Sequence, residues 1–568
     1  MATEFGDESA KLARGADAAR NSHGRYEARV RFVKWCLLLF VACGPPPVDP
    51  LVIEQGIRRE VMTVPGPKPP PNPATGGETP PEANGVQVVR YPVDTGREKP
   101  KAARAIIVLV PGFLGGAGSL DSLARAVVRR STADAPLEAW AIDRRANLLE
   151  DRTGIDAALA ATDANLLTGY YFEGREVNGA TFPGFKTQND VDFESEWGMA
   201  STIGDLRAVL ERVPVEQRQA RVVLAGHSLG ATIAAQYAAW DFEGSAGHEE
   251  LAGLVLIDGV TGDEGKPLTL TQAQYETSGV PSPMGTLPSL SQLRVGTRYF
   301  AFPLLESTLF PVGLGTAMRA SWNPDVVEKD VPRAQAFQTI FLMDRLPRFT
   351  NRGAFGLAFD AASCPVSIAA VNAGQATGGS LTSSTSPFGG GMVLKPTELT
   401  ATYGWLEYDQ VEPKEVTSLS EFALAWMRPG VDFGEWYFPS RVLLDVGLGS
   451  SLVLQPSEWP VTVHGLRAMH GREIGAPVLV EAAAILSGDV GRYASLRAVL
   501  PPVSEGRPNA GASREVSDGF AAIAHPGFSH IDPVAGTDVP GSEAAAWFDA
   551  LVDFMKRNTR EGGVSLSL

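Results

Sequence analysis

Arg221-Val-Val-Leu-Ala-Gly-His-Ser-Leu-Gly-Ala-Thr-Ile-Ala-Ala-Gln-Tyr-Ala-Ala-Trp240 is the stretch on which the fold turns. Arg221 to Ala225 is a short apolar, β-branched run that reads as a buried strand. Leu229 to Trp240 is an Ala-rich run of good helix formers. Between them stands Gly226-His227-Ser228-Leu229-Gly230, a Gly-x-Ser-x-Gly pentapeptide. In a sharp strand-to-helix turn such a serine is forced outward, and its glycines are needed because neighbouring backbone passes too close for a Cβ. The helix that follows aims its N-terminus at the serine and favours negative charge there. The pentapeptide alone is a weak sign. The strand before it and the helix after it supply the context it requires, and Ser228 is read as a nucleophile.

Working outward, Gly85 to Val93 alternates as a strand, and Ala105 to Gly118 is a central buried strand running into a glycine loop. Glycines let backbone N–H groups approach a ligand closely. The Phe113 N–H is expected to be one donor of an oxyanion hole and the Leu229 N–H the other. No Gly-Lys-Ser/Thr ends the loop, so it is not a phosphate-binding P-loop. Ser119 to Arg130 reads as an amphipathic helix and Leu137 to Asp143 as the next strand. The polar run Arg144-Arg-Ala-Asn-Leu-Leu-Glu-Asp151 reads as a salt-bridged structural corner. Leu251 to Gly259 is another buried strand. The alternation implies an α/β body with a mostly parallel central sheet flanked by helices.

Of seven histidines, His530 has the best placement. Phe520 to Asp532 reads as a strand followed by a loop. His530 lies past the strand end, where an imidazole can reach a serine on a neighbouring strand as general base. His525, at the strand end, reads as structural, and His227 is fixed inside the pentapeptide.

Pro111-Gly-Phe after a strand, Gly226-His-Ser-Leu-Gly at a strand–helix turn and Gly527-Phe-Ser-His-Ile-Asp532 near the end resemble the α/β-hydrolase superfamily. The resemblance implies an α/β-hydrolase core over residues 89–262 and 475–560, interrupted by a cap or lid insertion over 263–474. It also implies a catalytic acid. Asp489, beyond the strand Ala476-Pro-Val-Leu-Val-Glu, fits the usual place after the seventh strand; Asp258, after the sixth, is the runner-up. Asp143-Arg-Arg, Asn147, Glu150-Asp151 and Gly434-Glu-Trp-Tyr-Phe-Pro439 look like a narrower group of bacterial hydrolase-like proteins. Within the insertion, Val331–Leu346 and Ser418–Met427 look helical. Residues 373–392 read as a flexible Gly/Ser loop, and Trp322, Trp405, Trp426, Trp436, Tyr437 and Phe438 read mostly as core.

The chain has 568 residues, 44% of them hydrophobic, as in globular proteins, and a formal charge of −16. That charge argues against a nucleic-acid partner. Arg29, Arg31 and Lys34 precede a short apolar segment that ends at Cys43, followed by Gly44-Pro-Pro-Pro47, the order of a secretory signal. Phe-Val-Ala-Cys43 resembles a bacterial lipoprotein box, with Phe40 where Leu is usual. Cys43 is therefore a candidate lipidation site, and residues 1–43 a leader with signal. The expected location is an exported lipoprotein on the cell envelope, or a secreted form. Residues 44–88 read as a Pro-rich linker, an extended spacer from Thr63 to about Asn84. No disulfide framework can be read from the three cysteines. No His/Cys cluster has zinc spacing.

The expected reaction is cleavage of a small-molecule or lipid carboxylic ester through an acyl-enzyme, by Ser228, His530 and Asp489 or Asp258, with no metal or organic cofactor. An acyltransferase or amidase with the same triad, and a catalytically silent surface-attached binding protein, stay open.

Overall fold

The computed structural model describes residues 57–92, 103–132, 135–259, 261, 270–282, 285–301, 306–386, 388, 391–407 and 415–560. The leader, Cys43 and its lipoprotein box lie outside the described residues. Eight strands form the central sheet: β1 (Glu60–Pro65), β2 (Gly85–Tyr91), β3 (Ala105–Val110), β4 (Leu137–Asp143), β5 (Val222–His227), β6 (Gly253–Ile257), β7 (Val478–Ala482) and β8 (Phe520–Ala524). Their spatial order is β1-β2-β4-β3-β5-β6-β7-β8. β2 runs antiparallel to both neighbours; every other pairing is parallel.

The central strands are buried on both faces, which is why they read as unbroken apolar runs. Alternate residues still divide between two cores. Val108, Leu224, Leu256 and Val480 enter one; Leu109, Ala225, Val255 and Leu479 enter the other. The helices that matter here are α1 (Asp121–Arg129), α2 (Met199–Leu210), α3 (Leu229–Ala239), α4 (Leu309–Trp322), α5 (Asn351–Phe359), α6 (Leu419–Trp426), α7 (Ser440–Leu454) and α8 (Glu543–Asn558). α2, α3 and α7 share the first core, α1 and α8 the second.

The chain between β6 and β7 has two parts. α4, α5 and α6 build a third apolar cluster together with Tyr170, Tyr171 and Trp197. Trp405, Trp426, Trp436 and Tyr437 are buried in that cluster, with Trp322 half-buried at its margin. From Phe438 to Ile474 the chain instead joins the core of the sheet, through Val442, Leu448, Leu466 and others.

Two expectations need correction. The Pro-rich stretch after Thr63 is not a spacer. β1 pairs along its whole length with β2, and the fully buried Asn72 donates to the carbonyls of Asp192 (2.8 Å) and Arg294 (2.9 Å). Of its prolines only Pro65 lies in a strand, at the last position of β1, where it costs no ladder bond; the others lie outside any strand. Nor are residues 373–392 simply a flexible loop. Gln375–Thr377 pairs with Thr402–Leu406, and Leu381–Thr385 forms a hairpin with Met392–Pro396; the β-branched Thr377, Thr382 and Thr385 suit strand where partners are at hand.

Candidate active site

Ser228 stands at the turn from β5 to α3 with φ 57° and ψ −123°, a conformation that costs a non-glycine residue energy and recurs at functional sites. A Cβ on Gly226 would collide with the carbonyl oxygen of Gly230, and one on Gly230 with that of Val110. Both glycines are therefore dictated by close approach of backbone. The Ser228 N–H donates to the Ile257 carbonyl (2.8 Å), which ties the turn to the end of β6. Leu229 N–H begins α3 and has no intrahelical acceptor.

His530 follows β8 and is buried. Its Nδ1 meets Oδ2 of Asp258 at 2.7 Å. Asp258 comes directly after β6, the strand beside that of the serine, with φ 39°. Its Oδ1 accepts the N–H of Ala483 (2.9 Å) and Leu486 (3.2 Å), and its Oδ2 that of Ile485 (3.0 Å). Burial works to raise its pKa, but the His530 imidazole and these N–H groups outweigh it and hold the carboxyl below its ordinary value. The favoured acid of the sequence reading, Asp489, is elsewhere. It is exposed and caps a short helical turn by accepting the Gly491 N–H (2.8 Å). After β7 the chain folds back on itself at Ala483–Leu486 to wrap Asp258, which carries Asp489 away from the histidine.

His227 links the two halves. Its Nε2–H donates to the His530 carbonyl (2.7 Å), and the two rings lie 4.5 Å apart between centroids. Burial, and then the neighbouring imidazole, push its pKa down to about 3, so it is neutral and donates from one nitrogen only.

The glycine loop after β3 packs directly on the serine: a Cβ on Gly112 would lie 3.0 Å from that of Ser228. The loop closes as a turn, Gly115 N–H to Gly112 O (3.2 Å), with Leu114 in the left-handed region at φ 58°. Among the described residues the Phe113 N–H has no backbone acceptor. A segment from the insertion lies along the loop: Gly116 N–H donates to Phe433 O (2.8 Å), Gly118 N–H to Asp432 O (2.9 Å) and Glu435 N–H to Leu114 O (3.0 Å). The run after β4 completes the packing. Arg144 pairs with Glu435 (2.7 Å) and Arg145 with Asp205, as expected of a salt-bridged corner. Burial raises the Asp143 carboxyl to about 7, against the Ala117 N–H and the nearby arginines.

The histidine loop is held in turn by Asp532, which is fully buried. It accepts the N–H (2.7 Å) and hydroxyl (2.6 Å) of Ser529. From the insertion it accepts the Thr417 hydroxyl (2.7 Å) and the Asn372 N–H (3.0 Å). Ile531 N–H donates to Ala370 O (3.1 Å). His525, read as structural, stacks on Phe528 at 4.3 Å and bonds to the buried Glu481 (2.9 Å). Sequence reasoning passed over His227, Asp532 and Glu435 as partners. Each stood inside a stretch already singled out, the pentapeptide, Gly527 to Asp532 and Gly434 to Pro439, but none of these showed what its side chain would bond to.

No protein-family model matches the chain, and no curated protein matches it. Solved structures do resemble it. A protein from Sulfolobus solfataricus aligns at 13% identity over 87% of this chain and 94% of that one, with a TM-score of 0.40. A thermophilic esterase from Thermogutta terrifontis aligns at 10% identity over 88% and 100%, TM-score 0.31. A soluble variant of monoglyceride lipase from Saccharomyces cerevisiae aligns at 12% over 91% and 100%, TM-score 0.30. Among the described residues no helix is long and apolar enough to cross a membrane, and no three His, Cys, Asp or Glu side chains gather as a metal site. Serine, acid and histidine follow one another in that order on a sheet in which only the second strand runs backwards, and on this arrangement the chain has the α/β-hydrolase fold.

Proposed function

We propose that the protein is a serine hydrolase that cleaves carboxylic esters through an acyl-enzyme. The observation that carries this reading is the Asp258–His530 bond beside a strained serine turn. Asp258 occupies Nδ1 of His530, so the proton sits there and Nε2 is left as the base. Ser228 Oγ attacks the ester carbonyl carbon as its proton passes to His530 Nε2. The resulting oxyanion is held by the N–H groups of Phe113 and Leu229, each worth roughly 3 kcal/mol in such sites. The imidazolium returns its proton to the departing alkoxide, and an acyl-Ser228 ester remains. Water repeats the sequence and frees the acid. Phe113, Leu114 and Leu229 are apolar and only half-buried around the serine, which suits an apolar acyl group.

A fluorophosphonate probe tests the reading. Wild-type protein is expected to take up one label and Ser228→Ala none, with turnover of p-nitrophenyl esters lost in parallel. Natively folded wild-type protein that neither labels nor hydrolyses any ester in a panel of rising chain length would end it in favour of a binding protein.

A further inference from the structure

Arg144 is spent in a way that a structural corner does not require. Its guanidinium is buried and turned toward the glycine loop: Nη1 donates to Pro111 O (3.0 Å), and Nη2 donates to Gly112 O (2.8 Å) and Gly115 O (3.0 Å). Nε donates to Glu435 Oε2 (2.8 Å), on the segment that pairs with the same loop. The cation also stands over the Phe438 ring at 5.1 Å, and that ring meets the Phe113 ring edge-on at 4.9 Å.

In a trans peptide the carbonyl and the following N–H point in opposite directions within one plane. By drawing the Gly112 carbonyl to itself, Arg144 turns the Phe113 N–H the other way. It does the same to the Gly112 N–H through the Pro111 carbonyl. Gly112 abuts the Ser228 Cβ, so the donor orientation beside the serine is set from behind the loop. The turn needs this help, because Leu114 holds a left-handed φ that glycine would take without strain. Glu435 fixes the cation from the far side and comes from the insertion, 291 residues along the chain.

We infer that Arg144, held by Glu435, is the positioning residue of the oxyanion hole: it aims the Phe113 N–H at the developing oxyanion without touching substrate. The inference rests on the hydrolase reading above. Lysine cannot substitute, since one ammonium lacks the planar fork that serves several carbonyls and a carboxylate together.

The test compares wild type with Arg144→Lys and Arg144→Gln, using an octyl trifluoromethyl ketone and the matching methyl ketone as inhibitors. The fluorinated ketone adds Ser228 Oγ to its carbonyl carbon, passes the serine proton to His530 and leaves an oxyanion; the methyl ketone binds largely unreacted. The expected result is a loss of roughly 10- to 100-fold in the inhibition ratio of the two ketones, with kcat falling in step and KM within about twofold. Native near-ultraviolet circular dichroism is expected to persist. A folded Arg144→Lys protein with an unchanged ratio overturns the inference and leaves the hydrolase reading standing. Loss of the native signal in both variants overturns it too, because the arginine then serves the whole fold. A wild type inert to the fluorinated ketone removes both readings together.

Discussion

Replacing Asp258 by asparagine separates its role from that of Asp489. Oδ1 of Asp258 receives two backbone N–H groups, while Oδ2 receives one N–H and the imidazole. An asparagine keeps its oxygen where the two donors converge, which leaves the amide nitrogen facing Ile485 and His530. The Ile485 N–H then loses its acceptor, at a cost of about 1–3 kcal/mol. The imidazole now meets a donor and has to accept through Nδ1, which moves its proton to Nε2. A protonated Nε2 cannot take the Ser228 proton, and this error of tautomer is worth about 10⁴-fold in kcat, or ~5 kcal/mol of barrier. Asp489→Asn changes an exposed cap that keeps an acceptor for Gly491; its effect on stability is within about 0.5 kcal/mol and activity is retained. Steady-state hydrolysis of a p-nitrophenyl ester, with urea unfolding of each variant, measures both. Loss of turnover in the Asp489 variant together with near wild-type turnover in the Asp258 variant would refute the reasoning.

Three other outcomes are expected. His227 has its pKa lowered from 6.5 to about 3 in the folded chain, by burial and then by His530. The unfolded chain therefore binds more protons in that window, so its contribution is complete above about pH 6.5 and drains away as pH falls toward 3. His227→Gln keeps an amide donor for the His530 carbonyl and should flatten this acid limb in urea melts; an equally steep limb contradicts the assignment. Asp532→Asn sets an amide nitrogen against the Ser529 N–H or leaves the Asn372 N–H, which reaches both oxygens (3.0 and 3.3 Å), only its longer bond; the change costs about 1–3 kcal/mol and should lower kcat more than it raises KM, and unchanged kinetics would deny the histidine loop this anchor. We also propose, from the sequence around Cys43, that the mature protein carries a lipid on that residue. Intact-mass measurement of the envelope fraction checks it, and an unmodified Cys43 dismisses it.

The serine turn was legible because its evidence is local: pentapeptide, strand and helix are contiguous, and the glycines answer to backbone a few residues away. His530 was legible from its place just past β8. The acid was not, because the choice depends on how the chain turns after β7. Ser487 and Gly488 both adopt positive φ there, the turn closes on Asp258, and no spacing in the sequence shows the three N–H groups converging on that side chain. Arg144 was legible as a charge in a corner but not as a clamp, since its anchor Glu435 belongs to a segment far along the chain. The Pro-rich stretch was misread because proline content fits an irregular segment packed on the body as well as a spacer, and what tells them apart is the buried Asn72, whose partners Asp192 and Arg294 lie far along the chain.

The chain between β6 and β7 grips both sides of the site. Asp432 to Glu435 bond to the glycine loop, while Asn372 and Thr417 bond to the carboxylate behind the histidine. A swinging door would have to release one grip or the other at every turnover and so disassemble what it was meant to uncover. Substrate traffic then has to pass around these gripped segments rather than beneath them. An engineer who exchanged this stretch for the corresponding piece of another protein of this fold would be transplanting part of the candidate site, not a detachable cover.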